Sequence, residues 1–172
     1  NFISATVLDL QTPTTIFNVE FYRNPYNGRF FVTARAGSND GSVWATVGSE
    51  TITNAIFLAC FDSIGQALWK RENNSNNRNI SIYNLLFDGN DIYIGGSVSG
   101  INTASFIGFT YTAPMTPGYV MKIDENATGP IWSTYHNRGA IGLGGLAMKG
   151  DEIGFTDYCS GTNFVWGSQT LN

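Results

Sequence analysis

Leu85-Leu86-Phe87-Asp88-Gly89-Asn90-Asp91-Ile92-Tyr93-Ile94-Gly95-Gly96 reads as a strand, a tight turn and a second strand. The first limb is apolar. The middle four residues form turns, because glycine takes positive φ without strain and Asn and Asp side chains bond to nearby backbone. The second limb is β-branched and aromatic and ends in two glycines. Further along, Gly118-Tyr119-Val120-Met121-Lys122-Ile123-Asp124 alternates apolar and other residues. It turns through Glu125-Asn126-Ala127-Thr128-Gly129 into Pro130-Ile131-Trp132-Ser133-Thr134. Together these segments predict four short strands joined by hairpins.

The unit recurs. Val19 to Tyr22 with Asn27 to Ala34 is an earlier copy of the first hairpin, and Leu146 to Thr156 is a later one. Ile56 to Trp69 copies the tryptophan hairpin: Asp124 follows Asp62 by 62 positions, and Trp132 follows Trp69 by 63. A linking string also recurs as Gly48-Ser49-Glu50-Thr51-Ile52 and Gly167-Ser168-Gln169-Thr170-Leu171, with a looser copy at Ser105 to Ala113. Four antiparallel strands repeating at about 60 residues describe a β-propeller blade.

On Asn90 to Gly95, Tyr119 to Trp132 and Gly167 to Leu171, the chain resembles the bacterial seven-bladed β-propeller (SBBP-type) repeat of secreted and surface proteins. The resemblance covers nearly the whole chain. It implies propeller blades and an extracellular or cell-surface location, and it carries no single activity. Two positions depart from the pattern: Cys60 stands where the second copy has Lys122, and Phe155 replaces the usual Tyr.

Asn1 to Asp9 aligns without a gap to Asn54 to Asp62, and Thr170 to Asn172 aligns to Thr51 to Thr53. The expected organisation is therefore one repeat region over residues 1–172, with boundaries near 54 and 117 and at the joined termini. It holds three four-stranded repeats, one of them split between the chain ends. Three blades do not close a ring. The chain is then expected to be part of a larger propeller or of an oligomeric one, such as a six-bladed dimer. The chain starts at Asn1 with no basic region and no apolar run of signal-peptide type, which suits a mature chain, a proteolytic product or a piece of something longer. The alternative three-repeat fold is a β-trefoil, whose repeats are shorter and lack the Gly-Ser-x-Thr string.

Composition agrees with an all-β extracellular protein. Charged residues are 13%, well below the roughly 25% of an average soluble chain. The hydrophobic fraction of 42% is enough for a core. A net charge of −4 argues against a nucleic-acid partner, which needs a basic patch. No segment approaches the ~18 apolar residues of a helical membrane span.

Catalytic chemistry finds little support. The one histidine, His136, reads as a loop residue, and Ser133 beside it lies in a strand rather than a strained elbow. Asp62 and Asp124 are equivalent repeat positions at hairpin turns, so they read as turn caps and not as a glycosidase pair. His and Cys are too few for a zinc site. Asn39-Asp40-Gly41, Asp88 to Asp91 and Gly150-Asp151-Glu152 lack the spaced carboxylates of a calcium loop. The glycines from Gly139 to Gly145 precede a strand, not the helix that a phosphate loop requires. Cys60 and Cys159 are expected to be buried free thiols. No metal or cofactor is expected.

The aromatics remain. Trp69 and Trp132 are expected to be structural. Trp44 and Trp166, with Phe106 in the middle copy, sit beside the Gly-Ser string, and Tyr111 lies in the long middle loop. Exposed there, Trp44, Phe106, Tyr111 and Trp166 are the candidate binding residues, able to stack on a sugar ring or anchor a protein. The expected function is a non-catalytic scaffold or adhesion module that binds protein or glycan through its loops. The alternatives are a structural subunit completed by strand addition from another chain, and part of a polysaccharide-active enzyme.

Overall fold

The computed structural model describes residues 8–10, 16–36, 43–73, 80–98, 104–111, 118–135, 143–157, 164–166 and 169–171. The described residues form strands and turns, with no helix among them, so the fold is all-β. By internal contacts the chain divides into two compact units, Asn1–Arg78 and Asn79–Asn172.

The first unit contains β1 (Leu8–Leu10), β2 (Ile16–Arg23), β3 (Phe30–Ala36), β4 (Ala45–Val47), β5 (Glu50–Ile52), β6 (Ile56–Phe61) and β7 (Ala67–Glu72). A four-stranded antiparallel sheet runs in the order β2-β3-β6-β7. The β4–β5 hairpin is inserted between its two middle strands. This hairpin covers one face of the sheet, packing Trp44, Ala45, Val47 and Ile52 against Val32, Ala34, Phe57, Ala59 and Phe61. All six residues of β6 are buried, which explains its unbroken apolar sequence Ile-Phe-Leu-Ala-Cys-Phe.

The second unit repeats the plan. Its strands are β8 (Ile80–Asp88), β9 (Asp91–Val98), β10 (Ala104–Phe106), β11 (Phe109–Tyr111), β12 (Gly118–Asp124), β13 (Pro130–Tyr135), β14 (Leu143–Lys149), β15 (Glu152–Asp157), β16 (Phe164–Trp166) and β17 (Gln169–Leu171). The four-stranded sheet is β8-β9-β12-β13, and β10–β11 is the inserted hairpin. Phe109 of the hairpin stacks on Tyr119 of β12 at 5.5 Å. The third copy is described as two hairpins, β14–β15 and β16–β17, with β14 packed on β8 and β9. Of the expected split repeat, residues 1–7 and 158–163 lie outside the described residues. Of its N-terminal part the structure describes β1, which pairs with β4.

The repeat extends to backbone irregularities that no residue pattern announced. In the tryptophan hairpins one extra residue bulges out beside the indole, Leu68 in one copy and Ile131 in the other. In the first hairpins the bulged residue is Tyr83 in one copy and Gly144 in another. A bulge bends and twists its strand, so the same bend recurs at the same repeat position. The tight turns recur as well. Gly89 and Gly150 each open a two-residue loop at φ 58° and 60°, the positive φ that the first loop position of a type II′ turn demands. Between β10 and β11 that first position is Ile107, held at φ 47° although β-branched residues avoid this region. Gly108 follows it at φ 74°.

Glu72 closes the end of the first sheet. Its carboxylate accepts hydrogen bonds from the backbone N–H of Thr53 (2.8 Å) and Asn54 (2.6 Å) and pairs with Lys70 at 2.7 Å. Burial pushes its carboxyl upward, but the Lys70 ammonium and the two amides outweigh that and hold it below the usual carboxylate range. A depressed folded pKa stabilises the fold above the unfolded pKa, and that stabilisation is lost as pH falls through the folded value. Glu72→Gln is therefore expected to lower stability by about 1–2 kcal/mol at pH 7. The difference from the parent chain should shrink at acid pH, as read from urea midpoints at pH 7 and pH 3.

Candidate functional site

The structure places three of the four sequence-predicted binding residues in the core. Trp44, Phe106 and Tyr111 are each no more than 2% exposed. Trp44 packs beside Phe57 at 6.0 Å and donates its indole N–H to the Asn54 carbonyl at 2.8 Å. Tyr111 stands edge-on to Tyr135 at 4.7 Å. Among the described residues its buried hydroxyl has no hydrogen-bond partner, and burial, with the neighbouring Tyr135 phenol, pushes it up to about 12. These residues are therefore not exposed stacking platforms. They are the apolar underside of the inserted hairpins, turned inward because a two- or three-stranded piece has to bury one face against the larger sheet. The side chain of Trp166 lies outside the described side chains.

Register corrects a second expectation, that Trp44 and Trp166 correspond in the repeat, with Phe106 in the middle copy. Val47 faces Glu50, Phe106 faces Phe109 and Trp166 faces Gln169 across their two-residue loops. Phe106 and Trp166 thus correspond to Val47, while Trp44 lies three residues earlier, before β4 begins.

The turn caps are as expected. Asp62 caps its own turn, accepting from Ile64 N at 3.0 Å and Gln66 N at 2.8 Å. Asp124 does the same with Asn126 N at 2.7 Å and with the Thr128 hydroxyl. The Thr128 hydroxyl, against the smaller opposing effect of burial, holds the Asp124 carboxyl below its usual range. Cys60 is buried on β6; Cys159, His136, Asp40 and Gly139 to Gly142 lie outside the described residues. Trp69 meets Phe31 edge-on at 6.0 Å, and Trp132 meets Tyr93 at 6.2 Å in the equivalent place, so each pair reaches across the strand between them, β6 or β12. No group of three or more metal-ligating side chains occurs among the described residues.

The two most exposed aromatics among the described residues, Phe21 and Tyr26, lie elsewhere, at the turn end of the first sheet. Phe21, Arg23 and Phe30 share one sheet face, since Arg23 faces Phe30 across the ladder and Phe21 is two residues before Arg23. The guanidinium of Arg23 lies over the Phe30 ring at 6.0 Å. Phe21 is 70% exposed, Tyr26 62% and Phe30 40%. Ile64 adds an exposed aliphatic side chain at the tip of the next hairpin.

The turn that carries Tyr26 is fixed in shape. Asn24 is fully buried; its N–H donates to the Arg29 carbonyl at 2.8 Å, and its side-chain oxygen accepts from Tyr26 N at 2.9 Å. Asn27 accepts from Arg29 N at 3.1 Å. A side chain added at Gly28 would lie 3.6 Å from Ser63, so this turn and the Asp62 turn stand side by side. Two braced turns thus present Tyr26, Phe30 and Ile64 beside a cation. Such a rim suits the flat face of a sugar or an apolar side chain, and Arg23 suits a carboxylate. The sequence carried a local signal for the turn, Asn24 to Gly28. It carried none for the exposure of Phe21 and Phe30, which occupy strand positions that a covered sheet would hide. Comparisons with protein-family models, with curated proteins and with solved structures return no match.

Proposed function

We propose that this chain is a non-catalytic binding module of a secreted or cell-surface protein, built on β-propeller blades, that holds a protein or glycan at the rim formed by Phe21, Arg23, Tyr26 and Phe30. The rim carries the proposal: large aromatic side chains are exposed, Tyr26 on a braced turn and Phe21 and Phe30 on the strands that it joins, so little conformational entropy is lost when they engage a ligand. The blade reading draws support from the up-and-down order of both four-stranded sheets and from bulges that recur at the same repeat positions. Asp62 and Asp124, the repeat-equivalent acids, are engaged in capping their turns, which favours binding over glycoside cleavage.

A glycan array, together with a panel of immobilised extracellular proteins, identifies the ligand class. Tyr26→Ala and Phe21→Ala are each expected to weaken binding at least ~10-fold, equivalent to about 1.4 kcal/mol. Tyr111→Phe, which changes only a buried hydroxyl, is expected to leave binding unchanged. Full affinity in both rim variants would overturn the proposal, as would release of new reducing ends from a bound polysaccharide.

A further inference from the structure

Each four-stranded sheet has two outer strands, and a sheet edge with bare N–H and C=O groups invites another strand to pair. Folded proteins discourage this with charged side chains, above all lysine, with proline and with bulges. The four outer strands here differ in that respect. β2 carries Glu20 and Arg23, β7 carries Lys70, Arg71 and Glu72, and β8 ends in Asp88. β13, Pro-Ile-Trp-Ser-Thr-Tyr, carries no charge.

β7 and β13 hold the same place in the repeat, so one serves as an internal control for the other. After the shared tryptophan, β7 continues Lys70-Arg71-Glu72 where β13 continues Ser133-Thr134-Tyr135. The guard residues of one copy are replaced by residues that favour strands and self-pairing. Their exposure fits: Ile131 is 55% exposed and Tyr135 42%, with Trp132 and Ser133 also exposed. β13 pairs with β12 on one side, and among the described residues no strand pairs with its other side. Pro130 and the Ile131 bulge blunt only its first residues.

We infer that β13 is a self-association edge: it pairs antiparallel with β13 of a second copy of this chain about a two-fold axis near Ser133. Charge selects this occupant and this direction. The turn just before β13 carries Asp124 and Glu125. Parallel pairing would set these acids beside the same acids of the partner. Antiparallel pairing moves them to opposite ends of a six-residue strand, about 17–20 Å apart, beyond the ~8 Å screening length at physiological salt. An uncharged edge is also self-complementary, as a two-fold interface requires.

The test uses the 172-residue chain, 18.7 kDa, in size exclusion with light scattering from ~1 to ~100 µM. The expected result is a mass about twice that of the chain at the upper end. Ser133→Lys, which sets two ammonium groups against each other at the axis, is expected to return the chain to monomer with its far-UV circular dichroism unchanged. Hydrogen exchange provides a second readout on the unmodified chain: amides of residues 130–135 should become protected as concentration rises, while those of β7 stay unchanged. A monomer across the range overturns the inference. So does a dimer whose mass survives Ser133→Lys, or protection that rises at β7 instead. Because Phe21 and Tyr26 lie on the other unit, loss of self-association would leave the rim proposal intact.

Discussion

Trp44→Ala is expected to destabilise the first unit by about 3–5 kcal/mol, the range for emptying a large buried aromatic site. The indole is nearly inaccessible and belongs to the cluster that joins the β4–β5 hairpin to Val32, Phe57 and Phe61. Its removal opens a cavity and also leaves the Asn54 carbonyl without its 2.8 Å donor. Trp44→Phe separates the two effects. A phenyl ring keeps most of the contact with Phe57 but cannot donate, so an intermediate loss of about 1–2 kcal/mol is expected. Urea unfolding followed by circular dichroism measures both variants without relying on the fluorescence of the residue removed. A loss below about 1 kcal/mol for Trp44→Ala would place this side chain outside the core and restore it as a surface residue.

Gly96→Ala should damage the second unit comparably. A methyl group there would lie 1.9 Å from the backbone carbonyl oxygen of Ser81 and 2.9 Å from the ring and hydroxyl of Tyr119. The carbonyl belongs to β8 next to the Tyr83 bulge, and it already accepts the Tyr119 hydroxyl at 3.2 Å. Neither group can withdraw as the free end of a flexible chain could. Overpacking commonly costs about 1–3 kcal/mol, and a clash with backbone belongs at or above the top of that range. Gly129→Ala is the control: nothing lies within 4 Å of the added atom, and its effect should stay within about 0.5 kcal/mol. Equal midpoints for the two variants would show that β8 can shift to relieve the contact. The same arrangement appears in the first unit, where the small Ala34 faces Phe57 as Gly96 faces Tyr119. The inserted hairpin needs a large aromatic on the third strand of the sheet, and that aromatic needs a small residue opposite.

These two residues mark what could and could not be read along the chain. The Asp-Gly-Asn-Asp turn, the caps at Asp62 and Asp124, the paired tryptophan hairpins and the buried β6 were legible because each is a property of a few consecutive residues. A turn glycine, a capping carboxylate and an unbroken apolar run act through local backbone geometry, and a residue pattern reports local geometry well. The repeat made such patterns more legible still, since one copy confirms another. The doubled glycine Gly95-Gly96 reads as a strand end, yet β9 runs on to Val98; the reason for Gly96, the Tyr119 ring and the Ser81 carbonyl, was not visible.

The amino-acid sequence by itself determined that the chain is all-β and which hairpins form. The tertiary structure alone decided which aromatics meet solvent. Trp44, Phe106 and Tyr111 look like binding residues in a linear string, yet they are buried because the inserted hairpins fold back over their sheets. Phe21 and Phe30 look like core positions of a strand, yet they stand exposed beside Tyr26. Strand alternation sorts residues onto two faces but does not say what covers either face. Covering depends on contacts between segments far apart in the chain, and those are fixed by packing rather than by any stretch of neighbouring residues.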